Sequence, residues 1–248
     1  MFKDIYYNYL IDNNKQQGLK RLKTKQKGWL SISSAGSCNK KQYYSTTREQ
    51  ETNPPTEDSL AKMQLGTILH SDFEKAMKHQ SDMNNSNDKQ YYYEYPVKIE
   101  ELRLEGTLDM AIYDRVLNEL YVADLKSIGS YPYKLRFGRD KAKNKNKVSN
   151  NYEMQIATYA IALSNKLEEP NVFPQLIFYN KDTSKIKTTN VPLYVLDDAM
   201  AYWEDLVDLI DELGDDFKDV SPDSMIGVPY SSWECNYCQY KDKCHNLS

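Results

Sequence analysis

The sequence predicts an α/β fold, a mixed β-sheet with helices packed against it. Two observations predict it. Runs of alternating or continuous apolar residues mark five strands, and between them lie segments whose apolar residues recur every three or four positions. Their order is helix, three strands, helix, two strands, helix, which layers helices on a sheet.

Thr56 follows Pro54 and Pro55 and is placed to cap a helix over 56–79, where Leu65, Leu69, Phe73 and Met77 form one stripe. On that helix Gly66 and His70 are one turn apart, as are His70 and Glu74. A glycine inside a helix costs ~1 kcal/mol against alanine, so Gly66 is read as a point of close backbone approach. Residues 91–99 read as an edge strand, because Pro96 has no N–H to give a central ladder. Over 102–112, Leu102, Leu104, Leu108, Met110 and Ile112 face one way and Arg103, Glu105, Thr107 and Asp109 the other. A third strand follows at 120–126, a helix at 151–165, strands near 174–180 and 185–194, and an acidic helix at 197–213. The polar segments 81–90 and 138–150 read as exposed loops. No internal repeat or clean linker divides the 248 residues, so a single domain over 1–248 is expected.

Composition excludes some classes. No stretch approaches the ~20 apolar residues of a membrane span, and the first residues lack the apolar centre of a signal peptide. An intracellular protein with no membrane partner is expected. The net charge of -4 argues against general anion binding, yet the charge is uneven. Lys15–Lys27 is basic without an acid, Lys134–Lys147 is basic around a single Asp140, and 197–219 is strongly acidic. Contact with a phosphate backbone needs a local positive track rather than a positive total. Each basic run reads either as such a track or as an ordinary solvated face.

The segment IYDRVLNELYV joins two strands by a short turn, so they pair antiparallel. With the turn centred between Val116 and Leu117, Asp109 falls opposite Asp124. Opposed side chains lie roughly 4.5–5.5 Å apart at Cβ, where like charges repel. A divalent cation between them reverses that sign, since paired carboxylates are good ligands for magnesium or manganese. Lys126, two residues beyond Asp124, shares its face and is placed to assist chemistry at such a cation. A polar sheet face without a metal is the plainer alternative. His70 on its helix is either a third ligand or a structural histidine.

Four strings then fall in sequence: G-T-I-L-H (Gly66 to His70), G-T-L-D (Gly106 to Asp109), D-L-K (Asp124 to Lys126) and Q-I-A-T-Y (Gln155 to Tyr159). In order, spacing and expected elements they resemble the RecB-like branch of the PD-(D/E)XK nucleases. The resemblance implies a restriction-endonuclease-like core. It implies that His70, Asp109 and Asp124, with the Leu125 carbonyl, bind Mg²⁺ or Mn²⁺. It also makes Lys126 catalytic, with Asp109 and Asp124, and has Gln155 and Tyr159 position nucleic acid. Asp124 stands where many members carry Glu.

The four cysteines divide as Cys38 alone and Cys235, Cys238 and Cys244 in C-x2-C-x5-C. An intracellular setting disfavours disulfides, and the tight spacing favours one shared metal, zinc or an iron–sulfur cluster. The one-plus-three split, with S-I-S-S-A-G-S-C-N-K-K-Q-Y-Y (Ser31 to Tyr44) around Cys38, resembles the iron–sulfur members of this branch, among them the CRISPR-associated exonuclease family "Cas four" and the AddB-type nuclease domain. Asn39 departs from the proline often found after that first cysteine. This resemblance implies a 4Fe–4S cluster on Cys38, Cys235, Cys238 and Cys244, carried by segments 30–55 and 225–248 around a nuclease core at 56–215 and joining the two ends.

The expected function is a metal-dependent DNA nuclease, foremost a single-strand exonuclease, in phage or bacterial DNA processing, CRISPR adaptation or repair. No G-x4-G-K-[ST] motif is present, so unwinding falls to a helicase partner or adaptation proteins. The basic run supplies Lys134, Arg136, Arg139, Lys141, Lys143, Lys145 and Lys147 to guide single-stranded DNA, with Tyr131 or Tyr133 as stacking platforms. The rival readings are a non-catalytic DNA-binding or adaptor subunit and an RNA-directed nuclease. Residues 1–28 receive no function.

Overall fold

A computed structural model describes residues 1–84, 86–139, 150–219 and 232–245. Helix α1 (Phe2–Thr24), strand β1 (Leu30–Ser31) and helix α2 (Asn39–Thr47) precede the long helix α3 (Glu57–Met83). Strands β2 (Lys89–Ile99), β3 (Leu104–Asp114) and β4 (Glu119–Ile128) form a meander, followed by α4 (Ser130–Phe137) and α5 (Asn151–Ser164). Strands β5 (Asn171–Asn180) and β6 (Ile186–Asn190), helix α6 (Tyr194–Leu213) and the short α7 (Lys241–His245) complete the described elements. The sheet runs β1-β3-β4-β5-β6, with β2 also paired to β3. It is mixed, because β1 on β3 and β4 on β5 are parallel and the other pairings are antiparallel. The expected mixed α/β architecture is therefore present.

A strand has two edges, and the pairing of β3 uses them unevenly. Strand β2 lies along one edge from Leu104 to Asp114. The other edge is shared: β1 pairs with Leu104 and Glu105, and β4 with Met110 to Asp114. Gly106 to Asp109 thus occupy a gap in the ladder, where β4 diverges. The hairpin register is Met110↔Ala123 through Asp114↔Glu119, which places Asp124 opposite Asp109 one position past the last pair. The register expected from the turn is the one observed. The turn is closed by Asp114, whose Oδ1 accepts from the N–H groups of Val116 and Leu117, both at 3.1 Å.

The main core lies between the sheet and helices α5 and α6. Ile156, Ala157, Ala160, Ala162 and Leu163 of α5 are buried against Leu108, Leu120, Val122, Leu176 and Phe178 of the sheet and Trp203 of α6. The Trp203 indole N–H satisfies its bond on Thr158 Oγ1 at 2.8 Å. Helix α3 adds nothing to this core, and only its Leu60 is buried. Its expected cap is present, with Thr56 Oγ1 accepting from the Ser59 N–H. The stripe is shorter than expected, because Leu65 is exposed. On its outer side α3 carries α1, tied by Tyr7 donating to Asp58 at 3.0 Å.

Three further details depart from the sequence expectations. Leu30 and Ile32 belong to the main core, so the segment before 56 contributes to the fold. Leu102 lies in a 3₁₀ turn (Glu100–Leu102) before β3 begins. The alternation of β3 also breaks: the core takes Leu104 and Leu108, then Ala111, a step of three. The break lies opposite Glu94, which has φ +43 and falls between the pairs Tyr93↔Met110 and Tyr95↔Leu108. A left-handed backbone costs a residue with a β-carbon roughly 1–2 kcal/mol, so this kink opposes local preference.

Candidate metal-dependent active site

Asp109 is held where the ladder has opened. Its Oδ2 accepts from the Leu125 N–H at 2.8 Å, so a side chain takes the donor that a backbone carbonyl would have taken in a closed ladder. Its Oδ1 lies 3.2 Å from His70 Nδ1, delivered by α3. That hydrogen bond holds the imidazole pKa above its ordinary value, against the effect of burial, and the charges of Asp109 and Asp124 act in the same direction.

Asp124 is 1% exposed. Burial pushes its pKa up to about 6, with Asp109 adding to the rise and Lys126 opposing it. Its Oδ1 accepts from Gln155 Nε2 at 3.1 Å. Its Oδ2 lies 2.8 Å from Lys126 Nζ, close enough for attraction, but has no aligned hydrogen bond. The Lys126 ammonium instead donates to Gln155 Oε1 at 2.8 Å. One amide of α5 therefore bridges the carboxylate and the lysine. Tyr152, one turn before Gln155, has its ring 4.8 Å below the same ammonium.

Glycine is needed at one of the two motif positions. A β-carbon on Gly106 would fall 2.8 Å from Tyr159 Cε1 and 3.1 Å from Ile32 Cβ, so Gly106 lets Tyr159 pack into the gap. On Gly66 a β-carbon would meet only Ser127 Oγ, at an ordinary 3.5 Å, so the close approach expected there is not sterically required. Tyr159 is 2% exposed, and burial together with Asp124 and Asp109 raises its phenol pKa. It faces inward beside the carboxylates.

Glu94 was not anticipated. His70, Glu94 and Asp109 offer ligand atoms that all lie within 4.8 Å of one another. The Glu94 pKa is raised by burial and by Asp109 and Glu74. Only the β2–β3 register reveals that Glu94 opposes Asp109. Tyr152 was also missed, since a tyrosine at the start of a helix carries no signal of its own.

The residues present fit a divalent cation. Imidazole nitrogen and carboxylate oxygens are the donors that suit Mg²⁺ or Mn²⁺, and the buried Asp124 Oδ2, 2.8 Å from the Lys126 ammonium but in no aligned hydrogen bond, keeps lone pairs for an ion.

The basic run divides. Lys141, Lys143, Lys145 and Lys147 lie outside the described residues. Arg139 and Lys134 are exposed. Arg136 corrects the expectation: its side chain is 15% exposed, bonds Glu153 at 2.6 Å and covers the Phe178 ring at 4.6 Å, so its charge is neutralised inside the fold. Tyr133 is buried and unavailable for stacking, whereas Tyr131 is 71% exposed.

The cysteines converge. Cys38, Cys235, Cys238 and Cys244 line one small cavity of about 20 Å³ with Lys40, Lys41, Tyr44 and Tyr240. None forms a disulfide. Burial raises the thiol pKa of Cys38, and the neighbouring Cys238 and Cys244 raise it further. Burial likewise raises Cys238 and Cys244, with further increases from Cys235 on both and from Cys238 on Cys244. Thiols that oppose one another's ionisation are stabilised by a shared cation, and the buried Tyr44 hydroxyl has no hydrogen-bond partner there. The donor set fits a thiolate-bound metal centre.

The profile of the PD-(D/E)XK nuclease superfamily matches residues 83–245, more than half of the chain. The protein belongs to the PD-(D/E)XK nuclease superfamily. The matched range holds Glu94, Asp109, Asp124, Lys126, Gln155 and Tyr159, while Cys38 and His70 precede it. The solved crystal structure of SSO0001 is similar over 100% of both chains, at 16% identity and a TM-score of 0.55, a likeness of fold. Comparison with curated proteins gives no match. Among the described residues no helix is long and apolar enough to cross a membrane.

Proposed function

We propose that this nuclease is a divalent-metal-dependent deoxyribonuclease that degrades single-stranded DNA from an end. The observation that carries the reading is the meeting of Asp109 and Asp124 across diverging strands, with Lys126 2.8 Å from the buried carboxylate. In this reading His70, Asp109 and Asp124, aided by the Leu125 carbonyl, hold Mg²⁺ or Mn²⁺. The cation, when bound, supplies Lewis-acid activation of water and of the scissile phosphate. Lys126, fixed by Gln155 and by the Tyr152 ring, places a positive charge where negative charge develops on phosphorus oxygens. Gln155 and Tyr159 shape the floor on which the strand lies, and the exposed members of the basic run, with Tyr131, guide it inward.

A 4Fe–4S cluster on Cys38, Cys235, Cys238 and Cys244 serves as a structural centre. The convergence of the four cysteines on one small cavity supports this assignment. The phage or bacterial, intracellular setting and a helicase or CRISPR adaptation partner that supplies unwound DNA complete the reading.

The test is degradation of labelled single strands, with free and with blocked ends, in Mg²⁺, Mn²⁺ or EDTA. Shortening of free-ended strands only, dependent on metal and lost in Asp124→Ala, is expected. Binding without cleavage under every metal condition would overturn the assignment in favour of an adaptor, and equal cutting of blocked strands would remove the exonuclease reading.

A further inference from the structure

We propose that Glu94 is a further ligand of the active-site cation, binding it together with His70 and Asp109. The inference rests on the metal-site reading above and extends it by a residue from a different strand. Three observations support it. First, the ligand atoms of His70, Glu94 and Asp109 lie within 4.8 Å of one another, the spread that donors to a single ion occupy. Second, Glu94 opposes Asp109 at the one position where the β2–β3 ladder is interrupted, and its backbone is left-handed with φ +43. Glycine or asparagine would accept that backbone more readily, so the carboxylate is retained there against local preference. Third, the charge inventory is unbalanced. Glu94, Asp109 and Asp124 gather around His70 and Lys126, and Lys126 is already committed to Asp124 and Gln155.

Without a cation, the opposition of Glu94 and Asp109 is repulsive. With one, Glu94 supplies an oxygen ligand from the edge strand, so the ion is gripped by α3, β2, β3 and β4 together. More carboxylate oxygens raise the affinity of a site for hard divalent ions, Mn²⁺ and Mg²⁺ alike.

The experiment is titration of the full-length protein, as isolated, with Mn²⁺ alone, followed by the electron paramagnetic resonance signal of free Mn²⁺. Thermal melts of the metal-free protein accompany it. Glu94→Gln is expected to weaken Mn²⁺ binding roughly tenfold or more with no fall in melting temperature. Glu94→Gly, which relieves the left-handed backbone, is expected to melt at the same or a higher temperature and to lose Mn²⁺ affinity as well. Asp109→Asn is the control for the site itself. If Asp109→Asn abolishes binding and Glu94→Gln leaves it within twofold of the parent, the Glu94 assignment is overturned and the site stands. If both variants bind as the parent does, the metal-site reading beneath it falls too.

Discussion

The carboxylate site and the cysteine site are built on opposite principles. The carboxylate site is set by long-range strand register: Asp109, Asp124 and Glu94 owe their meeting to two antiparallel pairings that continue well beyond them. The cysteine site is held by a small aromatic cluster, Tyr43, Tyr44, Phe217 and Tyr240, at the margin of the main core. Around it, Thr52 and Asn53 donate to the Gln239 carbonyl at 2.8 and 2.9 Å, Asn53 and Asp242 exchange two bonds, and Lys243 pairs with Glu49. A site embedded in a sheet can carry mutual repulsion, because the ladder supplies the stability. A site at the margin needs its ligand to help hold it. Mutations in the first are therefore expected to change chemistry with little effect on stability, and mutations in the second to do the reverse.

The largest effect expected is on turnover. Asp124→Ala should lower metal-dependent cleavage by roughly 10³-fold or more, as for groups that act as a unit. The metal-free melting temperature should stay at or above that of the parent. A parallel collapse of stability would show that the two regions do not differ as described.

Cys38→Ala is the matching test at the other site. Metal binding to thiolates couples to folding, so this variant should melt several degrees lower and expose α2 and α7 to protease. Activity should fall only as the fold loosens. The bonds of Thr52, Asn53 and Glu49 to the C-terminal segment remain, so the ends should stay partly docked. An unchanged melting temperature would remove the metal from the account of this region.

Gly106→Ala probes the contact between motif and core. The added methyl meets Tyr159 and Ile32, and such overpacking costs about 1–3 kcal/mol, measurable by urea unfolding. The neighbouring Gly66→Ala has ordinary room and, in a helix, should be neutral or stabilising by up to ~1 kcal/mol. Equal costs at the two glycines would contradict the packing described.

A further effect is on pH dependence. Asp124 has its pKa raised from 3.8 to about 6 by burial, so its protonated form is favoured by the fold. The stability it contributes is complete below about pH 4 and is lost as pH rises through about 6. Metal-free Asp124→Asn should therefore pull ahead of the parent across that interval, by on the order of 1–3 kcal/mol at pH 7, less whatever Lys126 loses with its partner. A difference that does not vary with pH would contradict this origin.

Much of this was legible in the sequence, for physical reasons. The opposition of Asp109 and Asp124 depends only on turn position and a period of two, both local properties. The cap of α3 follows from Thr56, and the existence of α5 is expected from its sequence. What escaped was decided between elements. Glu94 depends on pairing between two strands and on a kink that no local preference predicts. Arg136 sits in a basic run but is drawn inward by Glu153 and Phe178, partners on α5 and β5. Helix α1, with Leu10 as its only buried residue, has too little apolar periodicity to stand out. Strand β1 is two residues long, below what a strand pattern can register.

The Cys38 N–H donates to Glu234 across a separation of 196 residues, and that span has a consequence for synthesis. At roughly 5–20 residues per second, Cys38 leaves the ribosome about 10–40 s before its partner segment exists. The hairpin bearing Asp109 and Asp124 can pair within that interval, whereas the four thiols cannot gather until residues 235–244 have been made. The nascent chain thus carries Cys38 without its partner thiols through that interval, and a metal shared by all four thiols, as proposed above, would be loaded only after residue 244 has emerged.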